Sequence, residues 1–237
     1  MGSTTLLKEK VSTRVAQIRE DIAEIATGCG RDPAAITLMA VTKFHPFEAV
    51  TAAAAAGITC FGESRVQEAA GKYISAGSRL NIHLIGHLQR NKVKSAASLF
   101  TCVQSIDKLE TVVALDRAAE EQKRIIDILL EVNTSAEDSK SGYRNTDALR
   151  SDLDSMLGLR WVRLRGLMTI APYTNEETPI RRSFAQLRSL FDEIRGRVTS
   201  QEFDTISMGM TNDFKIAIEE GSTLVRIGTA IFGERNP

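Results

Sequence analysis

Lys43 has the clearest chemical potential of any residue in this sequence. It follows an apolar run at 36–42 that is typical of a buried strand, so its amine is expected at a strand end. An amine that is partly desolvated and close to other cations has a lowered pKa, and its neutral form can attack a carbonyl carbon to give an imine. The alternative is an ordinary lysine whose charge extends into water.

Two turns near the end of the chain suit a phosphate group. Residues 207–213 follow one apolar run and precede a helix-like stretch, and Gly228 and Thr229 follow the last run. Backbone N–H groups and hydroxyls in such turns bind anions, although glycine, serine and threonine also end strands and cap helices without any ligand. Together with Lys43, the two turns suggest pyridoxal phosphate. A sugar-phosphate barrel whose lysine forms an imine with its own substrate is the alternative.

Arg226 is a charged residue inside an apolar run, between Val225 and Ile227. Because neighbouring strand residues point to opposite faces, it enters either the sheet interior or the layer of helices. One interpretation is a structural ion pair with Glu63 or Glu131. The other is a hydrogen-bond donor to the pyridine nitrogen of a cofactor, since an arginine in a protein keeps its proton.

The elements that must position these residues alternate between short apolar runs and helix-like stretches. The eight predicted strands cover residues 36–42, 58–61, 82–85, 100–104, 125–132, 164–170, 204–208 and 224–227. Eight alternating units favour an α/β fold with a single (β/α)8 TIM barrel, in which functional residues lie at the C-terminal ends of the strands. An amphipathic helix at 6–27 precedes the first strand, and we expect it to fill the eighth helical position.

Length and composition limit the number of domains and the classes of ligand that are expected. A chain of 237 residues without a linker-like tract fits one domain spanning 1–237. Thirty basic and thirty acidic residues cancel, which gives no electrostatic case for nucleic acid or an anionic membrane. Three widely spaced cysteines and three scattered histidines indicate neither a disulfide framework nor a metal site, and His83 in particular is expected to be a buried histidine with satisfied hydrogen bonds. With no leader-like or membrane-length apolar segment, a cytoplasmic location is expected.

Several motifs resemble the pyridoxal phosphate homeostasis proteins, in that family's order along almost the whole chain. They are AVTK at 40–43, FGE at 61–63, VQE at 66–68, HLIG at 83–86, LQ at 88–89, NK at 91–92, GLM at 166–168, SMGM at 207–210 and VRIGTAIFG at 225–233. The resemblance implies a barrel like the N-terminal domain of alanine racemase, with pyridoxal 5'-phosphate bound as an imine to Lys43. It also implies that Arg226 lies beside the pyridine nitrogen. The implied phosphate contacts are Ser207, Gly209, Met210, Gly228 and Thr229.

The sequence departs from that family's pattern at two positions. Ser64 stands where the family often has asparagine, so a cofactor contact from that amide is not expected here, and Thr42 replaces a frequent serine. The segment SKSG at 139–142 resembles a family loop after the fifth strand, which makes Lys140 a candidate secondary amine.

The resemblance also bears on whether the protein is a carrier or an enzyme. An arginine at the pyridine nitrogen keeps that nitrogen unprotonated, which weakens the cofactor as an electron sink. Alanine racemases supply a tyrosine from an additional domain of a partner subunit, whereas here only Tyr173 is a plausible substitute. We therefore expect a monomeric carrier that buffers the cofactor and delivers it to dependent apo-enzymes, without substantial catalytic turnover. The alternative is an amino-acid racemase that uses Lys43 as its base.

Overall fold

Eight parallel strands close into a barrel in their order along the chain. The structure is a computed structural model that describes residues 2–73, 80–135, 137, 140–198 and 202–234. The strands are β1 Thr37–Val41, β2 Cys60–Glu63, β3 Asn81–Leu84, β4 Cys102–Ile106, β5 Ile126–Glu131, β6 Val162–Met168, β7 Thr205–Ser207 and β8 Leu224–Ile227. The predicted (β/α)8 barrel is confirmed, and each predicted strand corresponds to an observed one.

A helical layer surrounds the barrel. The helices are α1 Gly2–Gly28, α2 Phe47–Ala55, α3 Val66–Tyr73, α4 Val93–Leu99, α5 Leu109–Glu121, α6 Thr146–Leu157, α7 Glu177–Arg195, α8 Phe214–Glu219 and α9 Thr229–Phe232. Two short 3₁₀ helices, Pro33–Ala35 and Arg90–Lys92, precede β1 and α4. The strands are covered on both faces, which explains why their sequences read as continuous apolar runs rather than alternating ones.

The apolar core has two parts. The larger part lies between strands and helices, where Phe61, Phe184 and Leu115 are fully buried. Smaller apolar clusters fill the barrel interior, and one of them joins Met39 of β1 to Leu224 of β8. The interior is therefore packed rather than a pore, as in other barrels of this class.

Helix α1 fills the helical position that follows β8. Its apolar stripe, which includes Val11, Val15 and Ile22, is buried. The helix contacts α2, α8 and the short α9. The Arg14 guanidinium also donates a hydrogen bond to the Ile231 carbonyl over 3.2 Å. The expectation that α1 completes the helical ring is confirmed.

Within the described residues, the helices include none that is long and apolar enough to cross a membrane. The same part of the chain contains no group of three or more His, Cys, Asp or Glu side chains arranged to hold a metal ion.

Candidate functional site

The predicted site residues lie together at the C-terminal end of three adjacent strands. Strand β1 pairs with β8 so that Met39 is opposite Arg226 and Ala40 is opposite Ile227, and β8 pairs with β7. Parallel strands bring their carboxyl ends to the same edge, so the segments that follow β7, β8 and β1 meet at the mouth of the barrel. A Cβ atom added to Gly228 would lie 3.4 Å from the Val41 side chain, which shows how closely the turn after β8 approaches the end of β1.

Lys43 lies two residues beyond the end of β1 and is half-buried. It sits in a tight turn that is closed by a 3.0 Å hydrogen bond from the His45 N–H to the Thr42 carbonyl. The next residue, Phe44, has a φ of 64°, a left-handed conformation that non-glycine residues seldom adopt. Lys43 thus lies just beyond the end of a strand, at the mouth, as its sequence position predicted, and the structure adds that its turn is locally strained.

The two predicted phosphate turns lie next to each other, with the Ala230 N–H 3.5 Å from Thr211 Oγ1. Gly209 has a φ of 95°, and a Cβ atom there would lie 2.6 Å from the Ala217 Cβ, so both backbone conformation and space require glycine. The Arg226 N–H donates to the Gly209 carbonyl over 2.9 Å, which ties β8 to the turn after β7. The Met210 N–H already donates to Asp213 over 2.5 Å. A phosphate contact from Met210 therefore remains a prediction, as do the contacts from Gly209, Gly228 and Thr229.

Arg226 enters the barrel interior and is only 3% exposed. Its guanidinium donates to Ser207 Oγ over 2.7 Å and to the Thr169 carbonyl over 2.8 Å. Burial lowers its pKa to about 10, an effect that the negative charges of Asp213 and Glu131 oppose. The group stays protonated at neutral pH and serves as a permanent hydrogen-bond donor. The alternative ion pair with Glu63 does not form, because Glu63 pairs with Lys72 at 2.8 Å.

A chain of hydrogen bonds runs from Arg226 through the barrel interior. Ser207 Oγ donates to Gln104 Oε1 over 2.7 Å, and the Gln104 amide bonds His83 Nδ1 over 2.8 Å. His83 Nε2 then lies 3.0 Å from Asn81 Oδ1, at the start of β3. The Ser207 hydroxyl is thus already engaged by Arg226 and Gln104, and its phosphate contact also remains a prediction.

His83 is a satisfied interior histidine, as predicted, and burial of its ring lowers its pKa to about 4. Gln104 was missed by sequence reasoning, although it is fully buried. A polar residue at the end of the predicted run 100–104 was the available signal, because a buried amide needs partners. Gln104 therefore belongs to the site through Ser207 and Arg226.

The opposite side of the mouth holds a cavity of about 230 Å³. Its lining includes Glu131, His87, Asn133 and Lys140. Burial raises the pKa of Glu131 to about 7, an effect that the nearby Arg226 charge opposes. The Lys140 ammonium donates to Glu137 Oε1 over 2.8 Å and to the Ala171 carbonyl over 2.7 Å, while Ser139 of the same predicted motif lies outside the described residues.

The three tyrosines have different environments. Tyr73 bonds Glu63, and Tyr143 donates to Asp152 over 3.0 Å, so both hydroxyls are engaged in the structure. Burial raises the pKa of both phenols well above the usual range. Tyr173, on the loop after β6, is 97% exposed. No tyrosine in the described residues is thus both buried and available at the mouth.

The assembled groups have a definite chemical capacity. Lys43 supplies a primary amine, the turns after β7 and β8 supply backbone donors for an anion, and Arg226 supplies a charged donor between them. An aldehyde that carries both a phosphate and a ring acceptor matches this set of groups. Because barrels of this kind host many activities, the groups at the mouth rather than the fold indicate the function.

Comparison with known proteins gives a consistent result. The family model described as "Alanine racemase, N-terminal domain" matches residues 14–236. The pyridoxal phosphate homeostasis protein of Pseudomonas aeruginosa is 40% identical over 227 residues, covering 95% of this chain and 96% of the relative.

Solved structures show the same relationships. The structure of PipY from Synechococcus elongatus with PLP bound superposes with a TM-score of 0.82 at 34% identity, covering 94% of this chain and all of PipY. Alanine racemase from E. faecalis superposes with a TM-score of 0.69 at 14% identity, covering 96% of this chain and 58% of the racemase. At that identity, the racemase shows a shared fold alone.

Proposed function

The chain belongs to the alanine racemase N-terminal domain family and, within it, to the pyridoxal phosphate homeostasis proteins, and on this premise we propose that it binds pyridoxal 5'-phosphate reversibly and takes part in intracellular cofactor homeostasis by buffering and delivery. The observation that carries the proposal is the convergence of Lys43, the two glycine turns and Arg226 at one end of the barrel. A relative solved with PLP bound supports it.

The residues present fit this cofactor. Lys43 would hold bound pyridoxal phosphate through its amine, which would form a reversible Schiff base with the aldehyde that the cofactor supplies, with loss of water. Gly209 lets the turn after β7 pack closely against Ala217, and the adjoining backbone of Met210, Gly228 and Thr229 is the predicted phosphate seat. Ser207 supports this seat while it also accepts the Arg226 hydrogen bond.

Arg226 favours a holding role over strong catalysis. A protonated guanidinium that faces a pyridine nitrogen donates a hydrogen bond to it and disfavours its protonation. Since an unprotonated ring is a poor electron sink, carbanion chemistry gains little from this arrangement. We therefore propose that the protein has no substantial catalytic turnover.

An amino-acid racemase-like enzyme is the competing function. It requires an acid–base group on the far side of the cofactor from Lys43. Tyr73 and Tyr143 are engaged elsewhere, and Tyr173 is almost fully exposed. This arrangement supports the carrier over the racemase.

The domain count, oligomeric state and cellular location of the protein are also part of the proposal. We propose one barrel domain over residues 1–237, a monomer, and a cytoplasmic location in which dependent apo-enzymes bind transiently. The balanced charge of the chain supports a protein that does not bind nucleic acid or membrane surfaces. Light scattering of the purified protein checks the monomer, and a stable dimer would contradict it.

The decisive experiment traps the cofactor on its lysine. We expect protein mixed with pyridoxal phosphate and reduced with borohydride to carry a pyridoxyl group on the Lys43 peptide, as read by mass spectrometry. Lys43→Ala removes that adduct and weakens cofactor binding, because only non-covalent contacts remain. Lys140→Ala is the matched control and retains the Lys43 adduct.

Two outcomes would contradict the proposal. A wild-type protein without an adduct on Lys43 would remove the basis for the carrier and the racemase together. Steady turnover of L-amino acids that is lost in Lys43→Ala would favour the racemase instead.

A further inference from the structure

We propose that Lys72 is a positioning residue for Lys43. Together with Glu63 and Glu68 it forms a clamp, which holds the turn that carries Lys43. The proposal rests on the function proposed for Lys43, because it assigns the clamp the task of aiming that amine. The three residues lie on β2 and α3, on the side of β1 that faces the helices rather than the barrel interior.

The clamp holds the backbone on both sides of Lys43. The Lys72 ammonium donates to the Thr42 carbonyl over 2.7 Å, immediately before Lys43. The Glu68 carboxylate accepts the Phe44 N–H, immediately after it. Lys72 and Glu68 are also bonded to each other at 3.2 Å, one helical turn apart on α3. One rigid helix surface therefore fixes the peptide groups before and after the amine.

Glu63 anchors the clamp to the barrel. Its Oε1 accepts from Lys72 over 2.8 Å and from Thr42 Oγ1 over 2.7 Å, and the Tyr73 hydroxyl donates to the same oxygen over 3.1 Å. The side chain has no exposed surface, and its Oε2 makes no hydrogen bond within the described residues. Burying a carboxylate with one oxygen unsatisfied is unfavourable, so three donors concentrated on the other oxygen indicate a specific geometric requirement.

The backbone that the clamp holds is strained. Phe44 has a φ of 64°, and residues in such conformations persist only when their surroundings over-determine them. The Arg65 guanidinium, 5.3 Å from the centre of the Phe44 ring, adds a second restraint. Loss of the clamp would let the turn relax and move the Lys43 amine relative to Arg226 and the glycine turns. Because covalent capture depends on orientation, this movement lowers both its rate and its affinity.

The test replaces Lys72 by methionine in the full-length protein and titrates pyridoxal phosphate by absorbance across pH. We expect Lys72→Met to weaken cofactor binding at least about tenfold and to shift the pH midpoint of the bound-cofactor absorbance. Lys72→Arg should restore part of the affinity, because a guanidinium can reach the same acceptors. Thermal unfolding without cofactor is recorded for each variant, so a change in stability is measured separately from capture.

Arg124→Met is the matched control. The Arg124 guanidinium also donates to backbone carbonyls, including Ala97 over 3.0 Å, but it lies beside the N-terminal end of β5, away from the mouth. Its loss should lower the unfolding temperature and leave affinity and pH midpoint unchanged. If Lys72→Met does not fold, Glu68→Gln tests the Phe44 half of the clamp, with a smaller loss of affinity expected.

The outcomes separate the clamp from the function on which it rests. No pyridoxyl group on wild-type Lys43 would overturn the proposed function. Wild-type labelling of Lys43 together with unchanged affinity and pH midpoint in Lys72→Met would overturn the clamp alone. Equal losses in Lys72→Met and Arg124→Met would also overturn it, because the effect would then be one of general stability.

Discussion

Arg226 and Lys72 are both buried cations near the mouth of the barrel, yet their partners differ in kind. Arg226, inside the barrel, bonds a hydroxyl and a backbone carbonyl, while Glu131 and Asp213 affect it through their charges at a distance. Lys72, outside the barrel, bonds the carboxylates of Glu63 and Glu68 directly. The first arrangement leaves a charged donor for a ligand, whereas the second uses its charge to hold the backbone.

These different partners suit each cation to a different task. A guanidinium paired with a carboxylate offers less charge and fewer N–H groups to a ligand, so neutral acceptors suit Arg226. An ammonium that only fixes backbone loses nothing by ion pairing, and the pairing offsets part of the desolvation of a buried charge. Three predictions test this comparison.

The largest expected effect is a pH dependence of stability that is caused by Glu131, a carboxyl influenced by the charge of Arg226. The folded pKa of Glu131 is raised from an ordinary 4.5 to about 7, so its favoured neutral form is lost as pH rises through that interval. The free energy of unfolding of the wild type, relative to Glu131→Gln, should be highest below pH 4.5 and fall by about 3 kcal/mol on reaching pH 7. Denaturant titrations across this range measure the difference.

His83→Gln is a control, for which the expected change of stability with pH has the opposite sign. The folded pKa of His83 is lowered from 6.5 to about 4, so the wild type should lose stability relative to this variant as pH falls through that interval. A Glu131→Gln difference that stays flat with pH would show that the carboxyl is not desolvated.

The next effect concerns Arg226 itself. Arg226→Met removes a buried charge, and the relief of desolvation offsets the two lost hydrogen bonds, so cofactor-free stability should stay within about 2 kcal/mol of the wild type. Affinity for pyridoxal phosphate should fall at least about tenfold, or about 1.4 kcal/mol. Arg163→Met, which removes a partly exposed ion pair with Asp127, should leave affinity unchanged. Wild-type affinity in Arg226→Met would remove the ligand-facing role assigned to this cation.

The smallest effect is expected where a comparable ion-pair cluster is exposed to water. Arg181 bonds the carboxylates of Glu177, Glu219 and Glu220 at 2.5–2.7 Å, but its side chain is 38% exposed. Arg181→Ala should lower the free energy of unfolding by at most about 1 kcal/mol, and less at high salt. Denaturant titration measures this loss. A loss of several kcal/mol would show that an exposed ion-pair cluster can contribute as much to stability as a buried one such as that of Lys72.

Much of the fold could be predicted from local pattern. Eight apolar runs separated by helix-like stretches suffice for a closed parallel barrel, because strands covered on both faces need no polar alternation. The position of Lys43 after the first run and of Gly228 after the last placed both at the same end of the barrel, since parallel strands share their direction. The stripe that includes Val11, Val15 and Ile22 likewise predicted a packed α1.

The partners of polar side chains could not be predicted in the same way. Glu63 was a candidate partner for Arg226, yet the side chains of adjacent β2 residues point to opposite faces, and that of Glu63 lies outside, against Lys72. Gln104 and Ser207 are 103 residues apart in sequence, so no local spacing signals their bond. Each such pairing depends on strand register and on the direction of a side chain.

Local sequence patterns suffice to give the order of strands and helices, the end of the barrel where the candidate site lies, and the residue types available there. Tertiary contacts are needed to specify which cation faces the interior, which carboxylates Lys72 meets, and how the turn at Lys43 is held. The reason lies in the sequence separation of the residues involved. Hydrophobic periodicity acts over neighbouring residues and can be read along the chain, whereas hydrogen bonds and ion pairs need atoms within a few ångströms.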